Sequence, residues 1–148
     1  RMRRRRVLSG WACAVLAVMA FAACSDGTNT IGFCDAAADV REANLALADT
    51  LGSAVDWDDK RSDVADQLAA LEDALTTAID VDDRSVADEL QLWRSDMSSL
   101  RDRLDEARSV EDLLYAEGAD RPAPDRINPA LDRVDATFEE ECGFRARS

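Results

Sequence analysis

Between residues 86 and 107 the apolar side chains recur with one rhythm. Val86, Leu90, Trp93, Met97, Leu100, Leu104 and Ala107 step by four, three, four, three, four and three. That alternation places all seven on one stripe of an α-helix, and the stripe needs an apolar partner with left-handed packing. A strand repeats every two residues and has no use for such spacing. A chain organised around this seam folds by packing helices on one another.

The neighbouring segments follow the same period. A first helix is expected to carry Val40, Leu47, Leu51 and Val55, with Ala36 and either Ala43 or Asn44 filling its stripe. A second carries Val64, Leu68, Leu71, Leu75 and Ile79, and the seam above makes the third. A fourth carries Leu131, Val134, Phe138 and Cys142. Residues 109–117 fit either an extension of the third helix or a short helix of their own, with Val110, Leu113 and Leu114 inward. Residues 118–127, with Pro122 and Pro124, read as the one extended loop. Asp56, Asp58 and Asp59 stand between the first two helices, and Asp80, Asp82 and Asp83 between the next two. Aspartate suits helix starts because its carboxylate accepts free backbone N–H groups and meets the positive end of the helix dipole. Asn128 followed by Pro129 reads as a cap and first helical residue. Gly143 suits a left-handed helix end, with Phe144 free to fold back onto the last turn.

The first residues follow a different grammar. Five of the first six are Arg, and an apolar run extends from residue 7 to residue 23. This is the layout of a secretory signal, and the run is short for a membrane span of about 20 residues. Met2 reads as the start. The run closes on Phe21-Ala22-Ala23-Cys24. That box resembles the lipobox of bacterial lipoproteins, with Phe21 where the family usually has Leu. The resemblance covers about the first 25 residues. It implies a diacylglyceryl thioether on Cys24, cleavage just before it and acylation of the new amino group. Ordinary cleavage after Ala22 is the alternative and would release a soluble secreted chain. The expected organisation is a signal peptide at 1–23, a lipidated tether at 24–33 and a helical domain at 34–148.

Cysteine arithmetic follows from that resemblance. Cys13 leaves with the signal, and if Cys24 carries lipid, Cys34 and Cys142 remain as a pair in an oxidising compartment. They stand at the start of the first long helix and the end of the last. Those ends are neighbours in an up-down four-helix bundle and lie apart in a three-helix one. The expected fold is therefore all-α, an up-down four-helix bundle closed by a terminal disulfide; two buried free thiols are the alternative. With one Cys near each end, in Phe33-Cys34-Asp35 and Glu141-Cys142-Gly143, the domain resembles small secreted helical lipoproteins of actinobacteria.

Charge and residue types narrow the function. Cleavage before Cys24 leaves 125 residues with 13 basic and 31 acidic side chains, a net charge of −18. Such a chain repels nucleic acid and anionic lipid surfaces. It contains no His. Ser–His–Asp and Cys–His catalysis and Glu-x-x-His metal bundles are thereby excluded. Asp80, Asp82 and Asp83 alternate as in calcium loops but lack the central Gly and distant Glu of an EF-hand, so helix capping explains them more simply. They stand with Asp56, Asp58, Asp59 and Trp57 as candidate contacts for a cation or small ligand. Trp57 either lines a ligand mouth or covers a bundle end.

The resulting reading is a non-enzymatic envelope lipoprotein. Membrane lipid holds it through Cys24 at the outer face, and its helical domain binds or scaffolds an envelope protein without a cofactor. A small-ligand or cation-binding lipoprotein is the second reading. The third is an Asp/Glu-dependent hydrolase, which needs a deep cleft of converging carboxylates. Native mass spectrometry of the protein extracted from its own membranes checks the address. The expected mass has an acylated Cys24 and one disulfide; an unlipidated mass beginning near Ala23 would overturn it.

Overall fold

A computed structural model describes residues 27–115 and 120–148, with side chains from Gly32 onward. The signal segment and Cys24 lie outside the described residues. The described chain forms five helices and no strand: α1 (Gly27–Gly52), α2 (Trp57–Asp80), α3 (Ala87–Arg103), α4 (Val110–Tyr115) and α5 (Pro124–Cys142). None of these helices is long and apolar enough to cross a membrane. The four longer ones pack as a ring, α1 on α2, α2 on α3, α3 on α5 and α5 on α1, while α4 leans on α3.

The apolar stripes line the inside of that ring. Every residue of the seam from Val86 to Ala107 is buried. Val40, Val64, Leu71, Leu75, Val134 and Phe138 are wholly inaccessible. Each such side chain contributes roughly 1.5–3 kcal/mol of burial. Val55 lies beyond the end of α1 and is exposed.

Several boundaries differ from the sequence reading. α1 begins at Gly27, inside the segment read as tether, and Phe33 is fully buried. Once the packed part of a helix exists, adding turns at its end costs little, so α1 extends past its apolar stripe. α3 stops at Arg103, and the rest of its seam, Leu104 and Ala107, is carried inward by a turn. α4 is a separate helix with a cap of its own: the Ser109 hydroxyl accepts the Asp112 N–H at 3.0 Å, and the Asp112 carboxylate accepts the Arg108 N–H at 2.9 Å. This reciprocal pairing is a variant of the capping box.

α5 starts at Pro124, so residues 124–127 are helical rather than loop, and Pro129 lies inside the helix. Proline leaves the carbonyl four residues earlier, that of Asp125, without its donor. Asp125 is exposed to water, and the earlier start buries Ile127. Gly143 ends α5 in the left-handed region at φ 80° and donates to the Glu139 carbonyl at 3.1 Å.

Two devices, one polar and one aromatic, close the ends. The Lys60 ammonium is buried and donates to the carbonyls of Leu51 (3.1 Å) and Ser53 (3.0 Å). It thus caps the negative end of α1 with a full charge. Beyond Gly143 the chain folds back. Phe144 meets Phe138 edge-on at 6.2 Å, and Phe138 meets Phe33 at 5.6 Å.

Beside these rings Cys34 and Cys142 form a disulfide, with Cα atoms 5.5 Å apart and a sequence separation of 108. A crosslink closing so long a loop stabilises by about 4–5 kcal/mol in the chain-entropy model. Replacing both cysteines by alanine is expected to cost about 2–5 kcal/mol, read from urea unfolding followed by circular dichroism. An unchanged midpoint would mean that aromatic packing alone holds these ends together.

Candidate functional site

The Asp candidates occupy the two ends of α2. Asp56, Asp58 and Asp59 lie at its start; Asp80, Asp82 and Asp83 lie at its finish and just after it. A helix of 24 residues separates them, which is about 35 Å at the usual rise. The two groups therefore form no common site.

At the start of α2, Asp56 holds the N-cap position through its backbone carbonyl, which accepts from Asp59 (3.2 Å) and Lys60 (3.1 Å). Its side chain makes no capping bond. Asp58 pairs with Arg61 at 3.2 Å while almost wholly exposed, and such pairs contribute about 0–1 kcal/mol. Asp59 is exposed. Trp57 is half-buried, and its indole N–H donates to the Ala107 carbonyl at 2.8 Å. Arg61 lies over the Trp57 ring at 5.7 Å and donates to the same carbonyl at 3.2 Å. Trp57 thus ties α2 to the turn after α3 and covers that end of the bundle.

At the other end Asp82 is a turn-former. Its carboxylate accepts the N–H groups of Arg84 at 2.7 Å and Val86 at 2.9 Å. Those bonds hold Ser85 in the left-handed region at φ 63° and set the entry to α3. Asp83 pairs with Arg84 at 3.1 Å, and Arg84 reaches Glu141 near the end of α5 at 3.3 Å. Asp80 stays exposed. Among the described residues no three His, Cys, Asp or Glu side chains gather as a metal-ligand group.

Sequence reasoning missed the buried acids. Asp96 is 5% exposed and is gripped by Arg121 through Nε (2.6 Å) and Nη2 (2.9 Å). Arg121 also donates to the Leu114 carbonyl, so one guanidinium joins α3, α4 and the segment before α5. The hydrogen bond to Asp96 holds the Arg121 pKa above its ordinary value. A raised arginine contributes fully below its unfolded pKa and loses that contribution as pH rises through its folded pKa, so the Arg121 side of this lock holds at neutral pH and is released only in strongly alkaline solution.

Asp135, 6% exposed, accepts the N–H groups of Ala146 (2.9 Å) and Arg147 (3.3 Å) and the Arg147 guanidinium (2.7 Å). Burial pulls the Arg147 pKa down, and bonds to Asp132 and Asp135 more than offset it. Glu72 is buried against Arg101 of α3. A signal for the first two existed: Asp96 and Asp135 each stand beside a core residue, Met97 and Val134, on a stripe otherwise apolar.

The surface carries two notable grooves. One runs between α3 and α5, where Glu89 and Arg133 close across it at 2.9 Å. The other runs between α1 and α2, floored by Ala43, Ala46, Ala70 and Ala74 and rimmed by Asp39, Glu42 and Asp73. The features together define a disulfide-closed helical bundle whose buried charges are committed to its own architecture. No protein-family model matches the chain, and no curated protein or solved structure is similar to it.

These contacts separate a turn-former from a cation ligand. Asp82→Ala is expected to cost about 1–2 kcal/mol, and Asp80→Ala and Asp83→Ala about 0.5 kcal/mol or less. Thermal melts with and without millimolar calcium check this. Equal losses at all three positions together with a calcium-dependent rise would assign them to metal.

Proposed function

We propose that this chain is a non-enzymatic lipoprotein of the cell envelope, anchored through Cys24, whose domain binds or scaffolds a protein partner at the outer face of the membrane. The observation that carries the reading is the disposition of charge. The buried acids Glu72, Asp96 and Asp135 are each held by an arginine of the same chain. Other acids, among them Asp39, Glu42, Asp49, Asp63, Asp66 and Asp73, are exposed on α1 and α2, where they are available to another molecule.

The Cys34–Cys142 bridge supports an oxidising compartment, in keeping with the signal-like first 23 residues and the lipobox-like Phe21-Ala22-Ala23-Cys24. Within the domain, α1, α2, α3 and α5 run up, down, up and down. The four-residue link between α1 and α2 supports this order, as does the bridge from the start of α1 to the end of α5. The bundle then presents long, rigid, acidic faces near the membrane.

Crosslinking in intact cells, followed by mass spectrometry, tests the reading. A discrete envelope protein is expected to be captured by the native chain and lost when exposed acids are reversed to lysine. Capture that is indifferent to every charge reversal would count against it, as would recovery of no protein under conditions that crosslink known envelope complexes.

A further inference from the structure

The α1–α2 face differs from the rest of the surface in both charge and relief. The two helices carry eleven acidic residues against three basic ones, Arg41, Lys60 and Arg61. Lys60 is buried under the end of α1, and Arg61 lies over Trp57. Arg41 is turned to the Phe144 ring (5.8 Å) and the Ser148 carbonyl (3.0 Å). From residue 62 to the end of α2 there is no basic residue at all. The groove rim of Asp39, Glu42 and Asp73 is therefore acidic on both sides, and none of the three makes an ion pair among the described residues.

The floor between those rims is alanine, with Ala46 and Ala70 exposed. Small side chains let another backbone approach closely, which suits a helix lying lengthwise between two others. From Asp39 to Ala46 the groove runs about 10 Å, or two helical turns. Across Glu42 it adjoins a second depression lined by Ala38, Leu45, Phe144 and Arg41, the last drawn onto the Phe144 ring and the Ser148 carbonyl. Leu45 is one of the few large apolar residues left exposed, at 38%. Apolar surface thus lies on both sides of Glu42, with Arg41 at the edge of the second patch.

The geometry points to this α1–α2 groove as the docking surface for a basic amphipathic helix of a protein partner, its apolar stripe on the alanines and its Lys or Arg flanks against Asp39, Glu42 and Asp73. This deepens the partner-binding reading and rests on it. Charge selects the occupant. A second copy would set one acidic rim against another, and anionic lipid or nucleic acid would be repelled in the same way. A free cation would have no use for the alanine floor.

The test uses the full-length protein with a photo-crosslinking residue at Ala46 or, as control, at the exposed Ala136 on α5. The probe is a labelled 20-residue synthetic helix (roughly six turns) with an Ala/Leu stripe and Lys flanks, beside a scrambled peptide of the same composition. The helix is expected to crosslink at Ala46 about tenfold more than at Ala136. The combined change Asp39→Asn, Glu42→Gln and Asp73→Asn should reduce that yield about tenfold, the worth of three modest ion pairs. Filling the floor with Ala70→Phe, an exposed position that leaves the core untouched, should abolish it.

Equal yields at both positions, or equal yields from the scrambled peptide, would reduce the effect to general charge attraction and overturn the proposal. Adducts from Ala46 to a second copy or to residues 1–23 of the chain would overturn it by naming a different occupant. The broader reading fails separately. If the cellular partner survives neutralisation of Asp39, Glu42 and Asp73 but is lost on changing α3 or α5, only the groove assignment falls.

Discussion

The junction of Cys34, Cys142, Phe33 and Phe138 is the contact on which the rest of the structure depends. It joins the first long helix to the last, residues separated by nearly the whole described chain. Neighbouring helices in a bundle find each other through short links, and the α1–α2 and α2–α3 seams need nothing more. The α5–α1 seam has no such help. A covalent bond beside an edge-on aromatic pair supplies it, and the ring of helices becomes a closed surface around one core. The tail after Gly143 then fills the same seam from outside, with Ala146 wholly buried and held by Asn44 of α1 and Asp135 of α5.

An acidic chain meets a second constraint, since burying a carboxylate is costly unless a partner comes with it. Here the partners arrive from irregular segments as well as from helices. Arg121 lies in the stretch before α5, and Arg147 in the tail. Each guanidinium satisfies a buried Asp and fixes a loop in the same act, so the charge pairs position the connections that the helices leave undetermined. Lys60 works in the same way on the carbonyls at the end of α1.

Much of this fold was legible in the residues, because the apolar period reports burial directly. The seam from Val86 to Ala107 and the stripe from Val64 to Leu75 are inside where their spacing put them. The Cys34–Cys142 pair and the left-handed Gly143 followed from position and residue type. The misses have physical causes. Pro124 and Pro129 are both compatible with a helix start, and only the burial of Ile127 chooses the earlier one. The Ser109–Asp112 cap was readable but competed with a seam that runs on past the end of α3. The grips of Arg121 on Asp96 and Arg147 on Asp135 span 25 and 12 residues, and no local pattern encodes which arginine will arrive. The Asp groups were visible as composition, but composition could not separate Asp82, which builds a turn, from Asp80, which faces water.

The placement of Lys60 has a consequence for how the molecule meets chemical reagents. It is the single lysine of the chain, and 5% of it is accessible. An amino group acylated at Cys24 would remove the other amine. The folded protein would then present almost no nucleophilic nitrogen to acylating agents or lysine-directed proteases, whatever their concentration. The first such modification would require α1 and α2 to part at their shared turn, so the extent of labelling would count molecules in which that corner had opened.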